Sequence, residues 1–278
     1  MNWYGTAGTY SLSADEGAKR VAGGETGTLC SWLDLKTAGL VSSRDEYIAA
    51  VRETAIKMAE DGIAAALSEK DVQLLQMVRM LDEMDNVINH LTERISEWYQ
   101  STTPGSSRKY SRANSQRLLQ KLGKSEIPAM RSTAREILSL ATLRSTMMKE
   151  VSREADSVIP NMSALVGGLV AARLVSRAGG LEAAAKMAGS SIQVLGAESA
   201  LFSHIRTGSS SPKHGLIFQH RRVHNAPREV RGHVARMLAA KLAIAARLDY
   251  YRGELAPEFI ADANEKIDRL MKEGEDHA

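Results

Sequence analysis

Between Lys186 and Arg252 the chain carries eleven Lys or Arg against three Asp or Glu, although all 278 residues together carry a net charge of only +3. Five of the seven histidines, His204, His214, His220, His224 and His233, fall in the same stretch. Concentrated positive charge beside Gln, Asn and His is what a phosphate-backbone binder needs. Cations neutralise phosphates, while amide and imidazole groups hydrogen-bond to bases and ribose hydroxyls. Arg206, Lys213, Arg221, Arg222, Arg231, Arg236 and Lys241 are the candidate phosphate contacts, and Gln193, His214 and Gln219 the candidate hydrogen-bonding groups. Charge alone describes a solvated basic face equally well, and by itself favours that simpler reading.

Other chemistries fit the residues less well. GSSSPKHG, residues 208–215, contains Gly, Lys and Ser but lacks the Gly-Lys-Ser/Thr ending that cradles nucleotide phosphates. The glycine pairs Gly167–Gly168 and Gly179–Gly180 do not stand in a GxGxxG frame behind a strand. His220 and His224 have the spacing of two ligands on a helix, yet no nearby carboxylate completes a metal site, and Asn225 and Pro227 indicate a loop. Ser199, Ser203 and Ser209 lie near His204 without a legible oxyanion site. No acid/base pair, metal set or cofactor loop is apparent, so neither a cofactor nor a metal is expected. The lone cysteine, Cys30, rules out an internal disulfide and fits a reducing cytosol, giving a cytoplasmic expectation. The N-terminus lacks a signal-peptide pattern, and no apolar run approaches the ~20 residues that span a bilayer.

The elements that position the basic stretch are predicted to be helices, since Ala, Leu and Met are plentiful while aromatics make up 5%. Residues 1–65 form a short α/β-like segment. WYGTAGTY and TLCSWLDL can be strands, and SSRDEYIAAVRETAIKMAEDGIAAAL reads as a helix opened by a Ser43/Glu46 capping box. In residues 66–160, Leu74, Met77, Leu81, Met84, Ile88, Leu91 and Ile95 alternate three- and four-residue steps, an a/d seam ending near Trp98. Asp82, Glu83 and Asp85 take the outer, solvated positions. STTPGSSRKYSRANS, Ser101–Ser115, is a turn, and a second helix from Ile127 to Ile159 makes an antiparallel coiled-coil hairpin, interrupted at Arg144. Pro160 stops that helix. Residues 161–255 then read as short, tightly packed helices, the helix AESALFSHIRTG ending at Gly208, the loop SSSPKHG, a brief extended GLIFQH, and a closing helix Val230–Arg252. Residues 256–278 form a C-terminal amphipathic helix and tail.

Three strings carry a family likeness: PNMSALVGGLVAARLVSRAGGLEAAAKMAGSSIQVLGAESALF, SPKHGLIFQH and RGHVARMLAAKLAIAARLDYYRGE. Together they resemble the Nop domain, the RNA- and protein-binding module of box C/D ribonucleoproteins and of a spliceosomal relative. The closest likeness is to the archaeal Nop scaffold of the guide-RNA-directed 2′-O-methylation complex. The resemblance implies a mainly α fold with a compact helical Nop domain, and a non-catalytic scaffold that bridges the methyltransferase fibrillarin to a box C/D guide RNA. That RNA is already held by a ribosomal-protein-like kink-turn binder. It further implies that residues 1–65 dock fibrillarin, that the hairpin makes a homodimer, and that Leu201 and Phe202 press against the end of an RNA helix. The PKHG loop, with Lys213 and His214, then meets the joint surface of RNA and kink-turn protein. The implied RNA- and partner-facing set is Gln193, Glu198, Leu201, Phe202, His204, Arg206, Lys213, His214, Gln219, His220, Arg222, Arg231, Arg236 and Lys241. Ser199 and Ser203 stand where the family usually has Lys and Arg, which removes two phosphate contacts. An RNA-modifying or nucleotide-using enzyme is the alternative from the catalytic class, and a splicing-type assembly factor is the third reading.

Overall fold

The computed structural model describes residues 32–37, 39, 41–67, 70–103 and 112–275. The chain divides into two compact units, Met1–Glu69 and Lys70–Ala278. No strand occurs among the described residues. WYGTAGTY lies outside them, and part of TLCSWLDL, expected as a strand, is instead the short helix α1, Trp32–Thr37. Helix α2, Arg44–Leu67, opens with the predicted capping box: the Glu46 N–H donates to Ser43 Oγ at 3.2 Å, and the Glu46 carboxylate accepts from the Ser42 N–H at 2.7 Å.

The second unit begins with α3, Lys70–Thr102, which pairs with α5, Pro128–Val158. Between them stands α4, Arg112–Leu122, a helix that the turn assignment for Ser101–Ser115 missed. Its one apolar face, Leu118, Leu119 and Leu122, joins Ile95, Met130, Ala134 and Ile137 in a small core at the far end of the hairpin. The larger core takes Leu74, Val78 and Leu81 from α3 and Val151 and Ala155 from α5, and continues through the following helices. The seam is therefore largely consumed within the chain. Leu74 and Leu81 are fully enclosed, Ile95 is buried, and Met77, Met84 and Ile88 are half-buried, while Leu91 remains exposed. The exposed apolar residues of α3 are Leu91 and Trp98, from the C-terminal part of the predicted seam, and Met80 and Val87, which lie outside it.

Pro160 ends α5 and starts the next helix. Ile159 turns the chain, and Pro160 occupies the first position of α6, Pro160–Val166, where its missing N–H costs nothing. Helices α6, α8 (Leu181–Lys186) and α9 (Gly189–Val194) pack around α12, Arg231–Tyr251, whose alanines let neighbouring backbones approach, while α7 (Gly168–Ala178) packs on α3, α5 and α6. Gly168 meets α5 so closely that a Cβ there would lie 2.4 Å from the Ser152 carbonyl oxygen, so no larger residue fits without backbone movement.

Two polar clusters fix this arrangement. Asp249, buried on α12, accepts from the N–H groups of Asn161 (2.8 Å) and Met162 (2.9 Å) and from Asn161 Nδ2 (2.7 Å). Asn161 in turn donates to the Glu254 carbonyl and accepts from the Ala256 N–H, each at 2.8 Å, closing the turn into α13, Pro257–Glu275. Burial pushes the Asp249 carboxyl above its ordinary pKa, against the lowering effect of those three hydrogen bonds. At the base of the hairpin, Arg144 grips Asp85 with two bonds of 2.8 and 3.0 Å, and Arg173 pairs with Asp82 at 2.9 Å and Asp85 at 3.5 Å. Arg144, predicted to interrupt the seam, thus joins the two hairpin helices, and Asp85 is half-buried rather than on a solvated face.

Candidate nucleic-acid interface

Residues Glu198–Thr207 form helix α10, which has no buried residue. Leu201, Phe202 and Ile205 share one side of it. Phe202 is 65% exposed and Ile205 69%, values that no core role accounts for. Glu198 sits at the first turn, where it accepts from the Gly196 N–H at 2.8 Å, and backbone N–H groups hold its carboxyl below the usual range. At the other end, Gly208 caps the helix in the left-handed conformation, and His204 Nδ1 contacts the Ser209 carbonyl. Arg206 is exposed.

The loop that follows is clamped to α9. Gln193 Nε2 donates to the Lys213 carbonyl at 2.7 Å, the Gly215 N–H to the Gln193 carbonyl at 2.8 Å, and the Leu216 N–H to the Leu195 carbonyl at 2.7 Å. Only glycine fits at 215, because a Cβ would stand 2.1 Å from the Leu195 carbonyl oxygen. Lys213 consequently projects into solvent from a fixed backbone. His214 stacks on Phe218, with centroids 4.4 Å apart and planes 12° apart. The Arg231 guanidinium lies 5.6 Å from the same ring. Desolvation, then the Arg231 charge, hold the His214 pKa below its ordinary value, so at neutral pH it offers a neutral imidazole.

The expected extended GLIFQH is a 3-10 turn, Leu216–Gln219, followed by the one-turn helix α11, Arg221–His224, where a loop was expected. Gln219 does not face outward alone, since its Oε1 accepts from Arg173 at 3.1 Å. His220 is half-buried with Nδ1 unpartnered, and burial, with Arg222 and Arg221 close by, pushes its pKa down to about 4. Among the described residues no group of three His, Cys, Asp or Glu side chains can hold a metal ion.

The basic candidates divide into two kinds. Lys213, Arg206 and Arg236 are exposed, as is Arg221. Arg222, Arg231 and Lys241, also named as candidate phosphate contacts, are each bonded within the chain. Arg222 bonds Asn264 and pairs with Asp268 at 3.1 Å. Arg231 donates to the Ala226 carbonyl at 2.9 and 3.2 Å. Lys241 pairs with Asp262 at 2.7 Å over the Phe259 ring. Sequence reasoning missed the two α13 carboxylates as partners, because Asp262 and Asp268 lie tens of residues from the cations they neutralise. It also missed Phe218, the platform under His214, whose aromatic character inside GLIFQH was the available signal.

An exposed apolar helix face, a clamped loop presenting Lys and His, and a helical hairpin on the same core define a helical protein of the Nop class. The Nop family model, described as snoRNA binding domain, fibrillarin, matches residues 106–273, more than half of the chain, and the chain belongs to that family. The match begins well before residue 161 and so takes in the second hairpin helix. A NOP5 family protein of Methanocaldococcus jannaschii is 30% identical, over 85% of this chain and 66% of that relative. Nucleolar protein 58 of Mycosarcoma maydis is 29% identical over 71% of this chain and 39% of its own length. Nucleolar protein 56 of Saccharomyces cerevisiae is 26% identical over 74% and 49%. The chain thus spans less than two thirds of these relatives. Among solved structures, a chain of the fibrillarin/Nop5p complex superposes with a TM-score of 0.56 at 27% identity, covering 96% of this chain and 98% of that one.

Proposed function

We propose that this chain is a non-catalytic scaffold of a box C/D guide ribonucleoprotein that directs RNA 2′-O-methylation. It bridges fibrillarin to guide RNA bound by a kink-turn protein, and the methyl transfer belongs to fibrillarin. The observation that carries the reading is α10, which has no buried residue and exposes Phe202 and Ile205 beside Arg206 and the Lys213 loop. An apolar face of this size flanked by cations suits the end of an RNA helix, where an aromatic ring stacks in place of a lost base pair and the cations hold flanking phosphates. Family membership and the likeness to a chain of the fibrillarin/Nop5p complex support the partner assignment.

Residues 1–65 serve as the fibrillarin dock in this reading. The exposed α3 stripe of Met80, Val87, Leu91 and Trp98, at heptad-compatible spacing, is the surface left for a second copy. Among the described residues no helix is long and apolar enough to cross a membrane.

Recruitment of the chain to a guide RNA carrying its kink-turn protein tests the site. Lys213→Ala with His214→Ala is expected to keep the fold and lose recruitment by at least tenfold, about 1.4 kcal/mol or more. Normal assembly of that variant refutes the site. Fibrillarin pull-down with and without residues 1–65 tests the dock, and light scattering of the intact chain tests the dimer.

A further inference from the structure

We infer that the far end of the hairpin is a second RNA contact, a ribose-phosphate site separate from α10 and the Lys213 loop. Ser115 to Arg135 holds five Lys or Arg and one carboxylate, Glu126. Four of these cations, Arg117, Lys121, Lys124 and Arg135, line a cleft of about 1160 Å³ together with Tyr99 and Glu126.

The cations stand on fixed supports. Arg131 donates to the Ser125 carbonyl at 2.9 Å and Arg135 to the Gly123 carbonyl at 3.1 Å, so both guanidinium groups close the C-terminal end of α4. Lys121 Nζ donates to the Tyr99 hydroxyl at 2.8 Å and lies 5.1 Å from its ring centroid. Arg117 and Lys124 are exposed, and neither side chain has a bonding partner among the described residues. A cleft with this charge excess attracts a polyanion. The Tyr99 hydroxyl, which accepts from Lys121 and keeps its own proton to donate, matches phosphate oxygens and ribose hydroxyls, which favours RNA over an acidic peptide.

The geometry makes the site an extension of the other one. Asp82, bound through Arg173 to Gln219, and Tyr99 lie on the same helix. Their separation in sequence places the cleft ~25 Å along α3 from the loop's base. At ~3.4 Å per nucleotide step, one strand covers that distance in about seven steps. A single RNA element can therefore touch both surfaces.

The inference extends the RNA reading above without depending on the Lys213 loop. The test is fluorescence anisotropy of the full chain with a labelled RNA duplex of about 20 base pairs between roughly 50 and 200 mM KCl. Arg117→Gln with Lys124→Gln is expected to weaken binding about tenfold and to reduce the log–log salt slope by one to two. The melting temperature should be unchanged, and the charge-preserving pair Arg117→Lys with Lys124→Arg should restore binding. An unchanged slope and affinity, a loss not restored by the charge-preserving pair, or equal displacement of RNA by polyglutamate of matched charge overturns the site. A Lys213→Ala, His214→Ala variant measured alongside reports on the loop separately, so either site can fail while the other stands.

Discussion

Removing the Asp249 carboxylate is expected to loosen the whole C-terminal half of the second unit. Asp249→Ala leaves three N–H donors without their acceptor: the backbone groups of Asn161 and Met162 and one hydrogen of Asn161 Nδ2. Asn161 and Met162 are almost fully enclosed, so water cannot take over without opening the core. A buried hydrogen bond to a charged group contributes roughly 1.5–3 kcal/mol, and an orphaned buried donor costs about 1–3 kcal/mol. Relief of the desolvation that raises the Asp249 pKa offsets part of this. The net loss should be about 3–5 kcal/mol, or roughly 10 °C in melting temperature for a unit of this size. Thermal melts followed by circular dichroism would read it. Because Asn161→Ala breaks the same cluster, the double variant should fall short of additivity by about 1–3 kcal/mol. A melting temperature within about 2 °C of the parent, or strict additivity, would refute the assignment of Asp249 as the clasp between α12 and α6.

Phe202→Ala should change stability by less than about 0.5 kcal/mol, since the ring is 65% exposed, while weakening assembly on guide RNA; a large drop in melting temperature would show the ring to be core. Leu81→Lys should unfold the second unit rather than separate copies, because Leu81 is fully enclosed, and a folded monomer by circular dichroism and light scattering would contradict this. His220, with its folded pKa near 4 against an ordinary 6.5, binds fewer protons when folded, so its contribution is retained above about pH 6.5 and lost as pH falls towards 4. Discounted for partial exposure the effect is on the order of 2 kcal/mol, and His220→Gln should flatten the melting-temperature profile across that window. An identical profile in the variant would rule the group out.

The long helices and the loop were legible because their signals are local. Periodicity marks α3 and α5, the capping box marks α2, and Pro160 marks the break, each readable within a few residues. What covers the buried face of α3 was not legible. A three- and four-residue alternation says that a helix buries one face, but not whether a second copy or the same chain covers it; the helices after Pro160 cover Leu74 and Leu81. Helix α4 escaped because its three leucines sit in an otherwise polar segment beside a turn-rich one. At the interface, the backbone that presents Lys213 follows from short-range glycine geometry at Gly215. Which cations stay available depends on distant carboxylates. Arg222 and Lys241 looked equal to Arg206 and Arg236 until α13 brought Asp268 and Asp262 against them.

The Arg173 hub has a mechanical consequence. It holds Asp82 and Asp85 of α3 with two hydrogen-bonded nitrogens and Gln219 with a third, so the hairpin and the turn behind the Lys213 loop share one fulcrum. Over a ~25 Å arm, a tilt of one degree at that fulcrum moves the hairpin tip by ~0.4 Å, about the full width of tolerated hydrogen-bond lengths. A ligand seated at both ends must find the angle already set, or supply the work to bend it. Replacing Arg173 with a residue that keeps the fold but frees the angle would therefore leave each end competent alone and spoil their joint grip.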